Sequence, residues 1–496
     1  MKLNKVNKQQ ATNLRYKKIE EELTGYWKSD QWDSLQCPLY TEKLKINRQI
    51  IKFNTALNSR ITNELKYYFF RRLNESELRM STVWRRSTAI NRLQGFILKY
   101  YSHIHSILDI SYEKFSFHYK TFLFEQGCSE LTVRSYIQLY NRIYSFLFDS
   151  FDERSETEKD IWNVRKLGID YNKSSATDCT LNFNTVPSPF RALIKRYIKN
   201  RVLLQESLSW GSAIQNIAKL PVFFNFIHNK YPKWDGLKEL NRNDIEEFIQ
   251  HLKATPMGGN SVHKGQAPTG NYINRSLSFL ETFIEYLQRF EWNEAPIKPV
   301  RLLIFPEDKP KLPPKSVDNV KYISDFVWEQ IINHMGKLPE DIRQIVLLLE
   351  ATGFRISDTC ALKLDCLIHR EDGWWIVGEQ RKVKDKTHRV PISEDLAKVV
   401  LTQQELTRRK SSVETNPFNY LFPTYGGTRK GQPISRENVV NNLNKLAVEN
   451  NIVSENGDIY RCKPHAFRHR FGVNLINNGM NILHVQKLMA SVCPDS

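Results

Sequence analysis

The stretch Ala351-Thr-Gly-Phe-Arg-Ile-Ser-Asp-Thr-Cys-Ala-Leu-Lys-Leu-Asp365 breaks an apolar helix at a glycine and sets an arginine, Arg355, at the mouth of the next. The run before it, Asp341 to Ala351, is strongly apolar at helical spacing, and Ser324-Asp-Phe-Val-Trp-Glu reads as a capped helix start. After it, Trp374-Trp-Ile-Val and Arg389-Val-Pro-Ile read as two short strands joined by a basic loop, Glu379 to His388. Helical pattern resumes near Ser435 and continues with interruptions to Met489. It contains Lys463-Pro-His-Ala-Phe-Arg-His-Arg-Phe-Gly472, where Pro464 suits a helix start and His465 and Arg468, three apart, share one face. The C-terminal region is expected to be mainly helical with one small hairpin.

Each piece alone has a plainer reading: a helix cap, a solvated basic turn, a surface pair of side chains. In this order, and with the two arginines 113 positions apart, they resemble the tyrosine recombinases of the phage integrase family. That family's pattern is TGxRxSE, a lysine in a β-hairpin, HxxR, and then a histidine or tryptophan followed by the nucleophilic tyrosine. The resemblance covers about Tyr322 to Ser496. It implies an α+β catalytic domain with a small sheet, in which a tyrosine oxygen attacks a DNA phosphodiester and keeps the bond energy in a phosphotyrosyl link. No metal and no cofactor is implied. Negative charge grows on the non-bridging oxygens in the transition state, and two guanidinium groups suit it; the resemblance gives that role to Arg355 and Arg468. It gives His465 proton transfer and phosphate binding, and a hairpin lysine the protonation of the departing 5′ oxygen. Lys382 sits best for that lysine, Lys384 second and Lys386 third. Asp358 stands in place of the family's acidic residue and is expected to support the site structurally.

The match stops short of the nucleophile. Ser491 occupies the position of the second histidine, no tyrosine follows Arg468, and Tyr420, Tyr425 and Tyr460 all precede it. The expectation is a chain truncated before the tyrosine, able to grip DNA and deficient in cleavage; the alternative is a non-catalytic DNA-binding protein or remnant that occupies recombination sites.

Upstream, Met80 to Ser150 carries apolar residues at three and four spacing, as does Ser207 to Phe290. The segment Glu158-Lys-Asp-Ile-Trp-Asn-Val-Arg-Lys-Leu-Gly-Ile169 resembles part of the large, transposase B-like recombinases of site-specific transposons. The expected organisation is a basic unassigned region 1–80, a helical N-terminal domain 81–206, and a SAM-like core-binding DNA clamp 207–305. A linker, 306–320, and an incomplete catalytic domain, 321–496, follow. The prolines of Pro306-Glu-Asp-Lys-Pro-Lys-Leu-Pro-Pro-Lys-Ser-Val-Asp-Asn-Val320 favour extended backbone, and no apolar pattern there argues for packing.

Composition agrees with a polyanionic partner. Lys plus Arg outnumber Asp plus Glu by 72 to 54, a formal charge of +18. The seven cysteines are scattered with no CxxC pair, and His465 and His469 lack an HExxH context, so neither a disulfide framework nor a metal site is indicated. No eighteen apolar residues run together and the charged start has no signal-peptide core, so a soluble, intracellular protein is expected, and the resemblance implies a cytoplasmic, nucleoid-associated bacterial one. The implied partners are double-stranded DNA and further recombinase subunits assembled on it, with no membrane.

Overall fold

A computed structural model describes residues 16–40, 48–75, 77–175, 179–258, 265–312, 322–380, 385–426, 429–463 and 465–489. The chain divides into two compact units: Met1–Glu153 with Lys410–Phe418 and Pro423–Gln432, and Arg154–Arg409 with Asn419–Phe422 and Pro433–Ser496.

The first unit carries a two-stranded antiparallel ribbon, β1 (Gln31–Asp33) with β2 (Ile50–Lys52), and the helices α1 (Ser59–Asn74), α2 (Ser87–Tyr100), α3 (Tyr112–Glu125) and α4 (Glu130–Ser150). Asn58, Ser111 and Ser129 cap α1, α3 and α4 by accepting from backbone N–H groups of the first turn. The core is aromatic: Trp32, Tyr68, Trp84 and Tyr140 are fully buried, and Phe115 stacks on Tyr140 with centroids 4.0 Å apart. It runs from Ile19 to Leu147, so residues ahead of Met80, unassigned from their pattern, share one core with the helices after it.

The second unit begins with the ribbon β3 (Ile161–Asn163) and β4 (Thr180–Asn182). Trp162 is fully buried, donates its indole N–H to the Lys159 carbonyl at 2.9 Å and packs on Phe183. The motif around Trp162 therefore serves packing. Helices α5 (Ser188–Lys199), α6 (Trp210–Lys230), α7 (Arg242–Ala254) and α8 (Gly270–Arg289) close over it, and their core extends from Trp162 to Ile304.

The proline-rich stretch departs from expectation at its start. Pro306–Asp308 forms a 3-10 turn, and Asp308, with its side chain 9 % exposed, takes both terminal nitrogens of Arg242, one at 2.7 Å. Arg242 also donates to the Leu303 carbonyl, Lys309 pairs with Glu281, and Asn274 donates to the Pro310 carbonyl. Charge pairing, invisible to an apolar pattern, packs a segment read as extended; residues 313–321 lie outside the described residues.

Beyond them the chain forms α9 (Asp325–His334), α10 (Glu340–Thr352), α11 (Ile356–Cys360), α12 (Glu394–Lys410), α13 (Arg436–Glu449), α14 (Ala466–Asn477) and α15 (Ile482–Leu488). Where one hairpin was expected there are three antiparallel strands in the order β5 (Leu367–Arg370), β6 (Gly373–Gln380), β7 (Asp385–Ile392). Leu367 to Arg370 is too short and too polar to declare itself, and becomes a strand by pairing with Gly373 to Ile376. The protein is thus mainly helical with small antiparallel sheets, as the sequence indicates.

The hydrogen bond from Arg242 holds the Asp308 carboxyl below the usual carboxylate range. A depressed folded-state pKa adds stability above the unfolded value of about 3.9 and loses it as pH falls through the folded one. Asp308→Asn is expected to cost about 2 kcal/mol in urea unfolding at pH 7, and the difference from wild type should shrink when the measurement is repeated at pH 3.

Candidate active site

Gly353 ends α10 in the left-handed region, φ 61°, which glycine adopts without strain. Its bare Cα also admits the ring of Phe471 from α14: a Cβ there would lie 2.3 Å from Phe471 Cδ1. The same residue gives its carbonyl to Arg468 Nη1 at 2.8 Å. One glycine therefore turns the chain toward Arg355, seats α14 and anchors the second arginine.

The sheet is brought up on the other side by a second glycine. A Cβ at Gly378 of β6 would fall 2.7 Å from the ring of Phe354, so the strand lies directly on that buried ring. Two residues on, Gln380 is fully buried and its Oε1 accepts from Arg355 Nη1 at 2.6 Å. The β6–β7 register shifts between Gly378 and Gln380, an irregularity that re-aims side chains beside a site. His388 of β7 donates Nε2–H to the Leu488 carbonyl at 2.7 Å, which ties the sheet to α15.

Asp358, buried on α11, stands 3.8 Å from Arg355. Arg468 is buried on α14 and held below the ordinary guanidinium range, at about 10, first by burial and then by the positive charge of Arg355, with Asp358 pulling the other way. Arg468 remains charged at neutral pH. Arg468 Nη2 and Gln380 Nε2 are buried with no hydrogen-bond partner among the described residues. A buried donor left in that state costs about 1–3 kcal/mol, more when charged. Two like charges near one another and two dry donors together describe a site built for an oxyanion.

Of the residues singled out from sequence, the structure gathers Arg355, Asp358 and Arg468. His465 is exposed at the position preceding α14, with its ring 6.5 Å from that of His469. Lys382, Lys384 and Ser491 lie outside the described residues, as does the side chain of Lys386. Among the described residues no group of three His, Cys, Asp or Glu side chains is placed to hold a metal.

Sequence reading gave no role to Gln380 or Arg470. Gln380 shares one face of β6 with Ile376 and Gly378, all three buried, and a polar residue on the buried face of a strand was the available signal. Arg470 is buried, donates to the Ile323 carbonyl at 3.0 Å and pairs with Asp325 at 2.7 Å and Glu350 at 3.6 Å, so it holds α14 against α9 and α10.

The pattern of the phage integrase family matches residues 321–491. Transposase B from transposon PsiTn554 of Staphylococcus aureus is 31% identical, across 99% of this chain and 78% of the relative. The chain belongs to the tyrosine recombinases of the phage integrase family. Tyrosine recombinase XerD of Rickettsia bellii is 23% identical over 58% of this chain and 87% of its own. A crystal structure of XerH site-specific recombinase bound to palindromic difH substrate matches 62% of this chain and 79% of its own, at 14% identity and a TM-score of 0.44, too loose a likeness to locate a residue.

In this recombinase, Arg468→Met removes a buried cation that opposes Arg355 and carries an unmet donor, at the loss of one hydrogen bond to Gly353. The free chain is expected to lose less than about 1 kcal/mol in urea unfolding while its affinity for DNA falls more than tenfold. A loss of several kcal/mol would instead make Arg468 a structural residue.

Proposed function

We propose that the recombinase breaks and rejoins duplex DNA at specific sites, moving a transposable element through a phosphotyrosyl intermediate. The observation that carries this is the pair of guanidinium groups, Arg355 half-buried and Arg468 buried with a dry donor, both held by backbone or carboxamide oxygens. Arg355 and Arg468 bind the non-bridging oxygens of the scissile phosphodiester and stabilise the charge that grows there. Asp358 fixes Arg355. His465, exposed at the head of α14, assists proton transfer, and Lys382, with Lys384 as the alternative, protonates the departing 5′ oxygen.

Within these 496 residues no tyrosine follows Arg468. In this reaction the attacking hydroxyl is a tyrosine's, and none of the residues given roles above supplies it. A second reading is a non-catalytic protein that occupies recombination sites, binding phosphate through the same two arginines without the covalent step.

Residues 207–305 act as the clamp. Between α6 and α8 lie Arg201, Gln215, Ser212, Arg275 and Ser278, with no carboxylate among them. Nearby, Lys219 sits 3.4 Å above the centre of the Tyr272 ring, its pKa lowered to about 8 by burial and by Arg275. A groove with cations and no counter-charge suits the phosphate backbone. Helices, prolines and charge pairs from Arg242 to Lys309 hold the clamp's exit rigid before residues 313–321 lead to the catalytic half.

Two measurements test the proposal. Affinity of the chain for duplex DNA should fall about a thousandfold or more between 50 and 200 mM salt, as for six or more phosphate contacts. When the coding sequence is read beyond codon 496 and the longer product is mixed with a nicked duplex of the element's end, a covalent protein–DNA species linked through tyrosine is expected. Salt-independent binding would sink the DNA reading; salt-dependent binding with no covalent species would leave only the non-catalytic one.

A further inference from the structure

The carboxamide of Gln380 has its two ends in different situations. A guanidinium carries donors only, so the atom 2.6 Å from Arg355 Nη1 is the oxygen, and the orientation of the group is fixed by chemistry. The NH2 end must then face away from Arg355. It is buried with no partner among the described residues, like Nη2 of Arg468. These two donors come from different elements, β6 and α14, and each is tied at its other end to the same turn, Gln380 through Arg355 and Arg468 through the Gly353 carbonyl.

We propose that Gln380 is a third substrate-contacting group of this site: its oxygen fixes Arg355 and its nitrogen donates to a non-bridging oxygen of the scissile phosphodiester. This rests on the reading of Arg355 and Arg468 as the phosphate clamp. The two non-bridging oxygens of a phosphodiester each accept several hydrogen bonds, and Nη1 of Arg355 and Nη1 of Arg468 are already engaged elsewhere, which leaves room for a further donor. A third cation would add to the repulsion between Arg355 and Arg468, and a carboxylate would neutralise Arg355 and repel the phosphate. A carboxamide adds a hydrogen bond and no charge, which is what a crowded cationic pocket admits. The burial of Gln380 on the same face of β6 as Ile376 and Gly378, on which Phe354 packs, keeps the group rigid and excludes water that would compete for its donor.

The test is equilibrium binding of the 496-residue chain to a duplex of the element's end in which each phosphate of the protected segment is replaced in turn by a neutral methylphosphonate of either configuration. At the phosphate whose replacement weakens wild-type binding most, Gln380→Met should bind the unmodified duplex about tenfold more weakly than wild type, and the two proteins should bind equally to the one stereoisomer that presents methyl to Gln380. Gln380→Glu, which keeps the acceptor for Arg355 and a side chain of the same size, should melt no lower than wild type and lose at least as much affinity. An equal penalty for Gln380→Met on the unmodified duplex and both stereoisomers would overturn the proposal and make Gln380 a support for Arg355 alone. If no replacement at any phosphate weakens wild-type binding, the phosphate clamp itself fails and the proposal falls with it.

Discussion

The contact on which the rest of the catalytic half depends is the approach of α14 to Gly353. The Phe471 ring occupies the space that any Cβ would need, and the Gly353 carbonyl accepts from Arg468. That contact sets the distance between two helices and, with it, the distance between two arginines drawn from opposite ends of the domain's sequence. The left-handed turn at Gly353 then directs the chain through Phe354 to Arg355, and Phe354 in its turn is the platform on which β6 lies through Gly378. Helix, turn, sheet and helix thus meet through two positions that have no side chain.

What this arrangement stores is electrostatic. Burial and a neighbouring like charge make Arg468 less comfortable as a cation in the free protein than in water, and the dry nitrogens of Arg468 and Gln380 add to that cost. A phosphate relieves all of it at once. On the proposed reading the free site is destabilised in the sense that matters for catalysis, since what would relieve it is charge on a non-bridging oxygen, and that charge increases toward the transition state. Arg470 and Asp358 contribute by holding α14 and Arg355 where relief by movement is denied.

Much of this is legible in the sequence. The glycine ahead of Arg355, the spacing of His465 and Arg468, the cap at Ser324 and the two strands around the basic loop all leave local marks, because each depends on a residue type with a narrow conformational or chemical use. What stayed hidden depends on pairing across sequence distance. Leu367 to Arg370 has no strand pattern and acquires its conformation from β6; Asp308 looks like one more polar residue in a proline-rich stretch until Arg242, 66 positions away, meets it. Gln380 belongs with these: in sequence it opens a basic loop, and only the burial of its face of β6 and the reach of Arg355 give it a task.

The free protein is proposed to carry an unsatisfied anion site at Arg355, Arg468 and Gln380. This is tested most directly by thermal unfolding of the 496-residue chain in inorganic phosphate and in sodium chloride at equal ionic strength, for wild type and for Arg355→Gln. Phosphate should raise the wild-type melting temperature above its value in chloride and do so far less for the variant. Equal melting temperatures of the wild type in the two salts, or the same rise in both proteins, would contradict it.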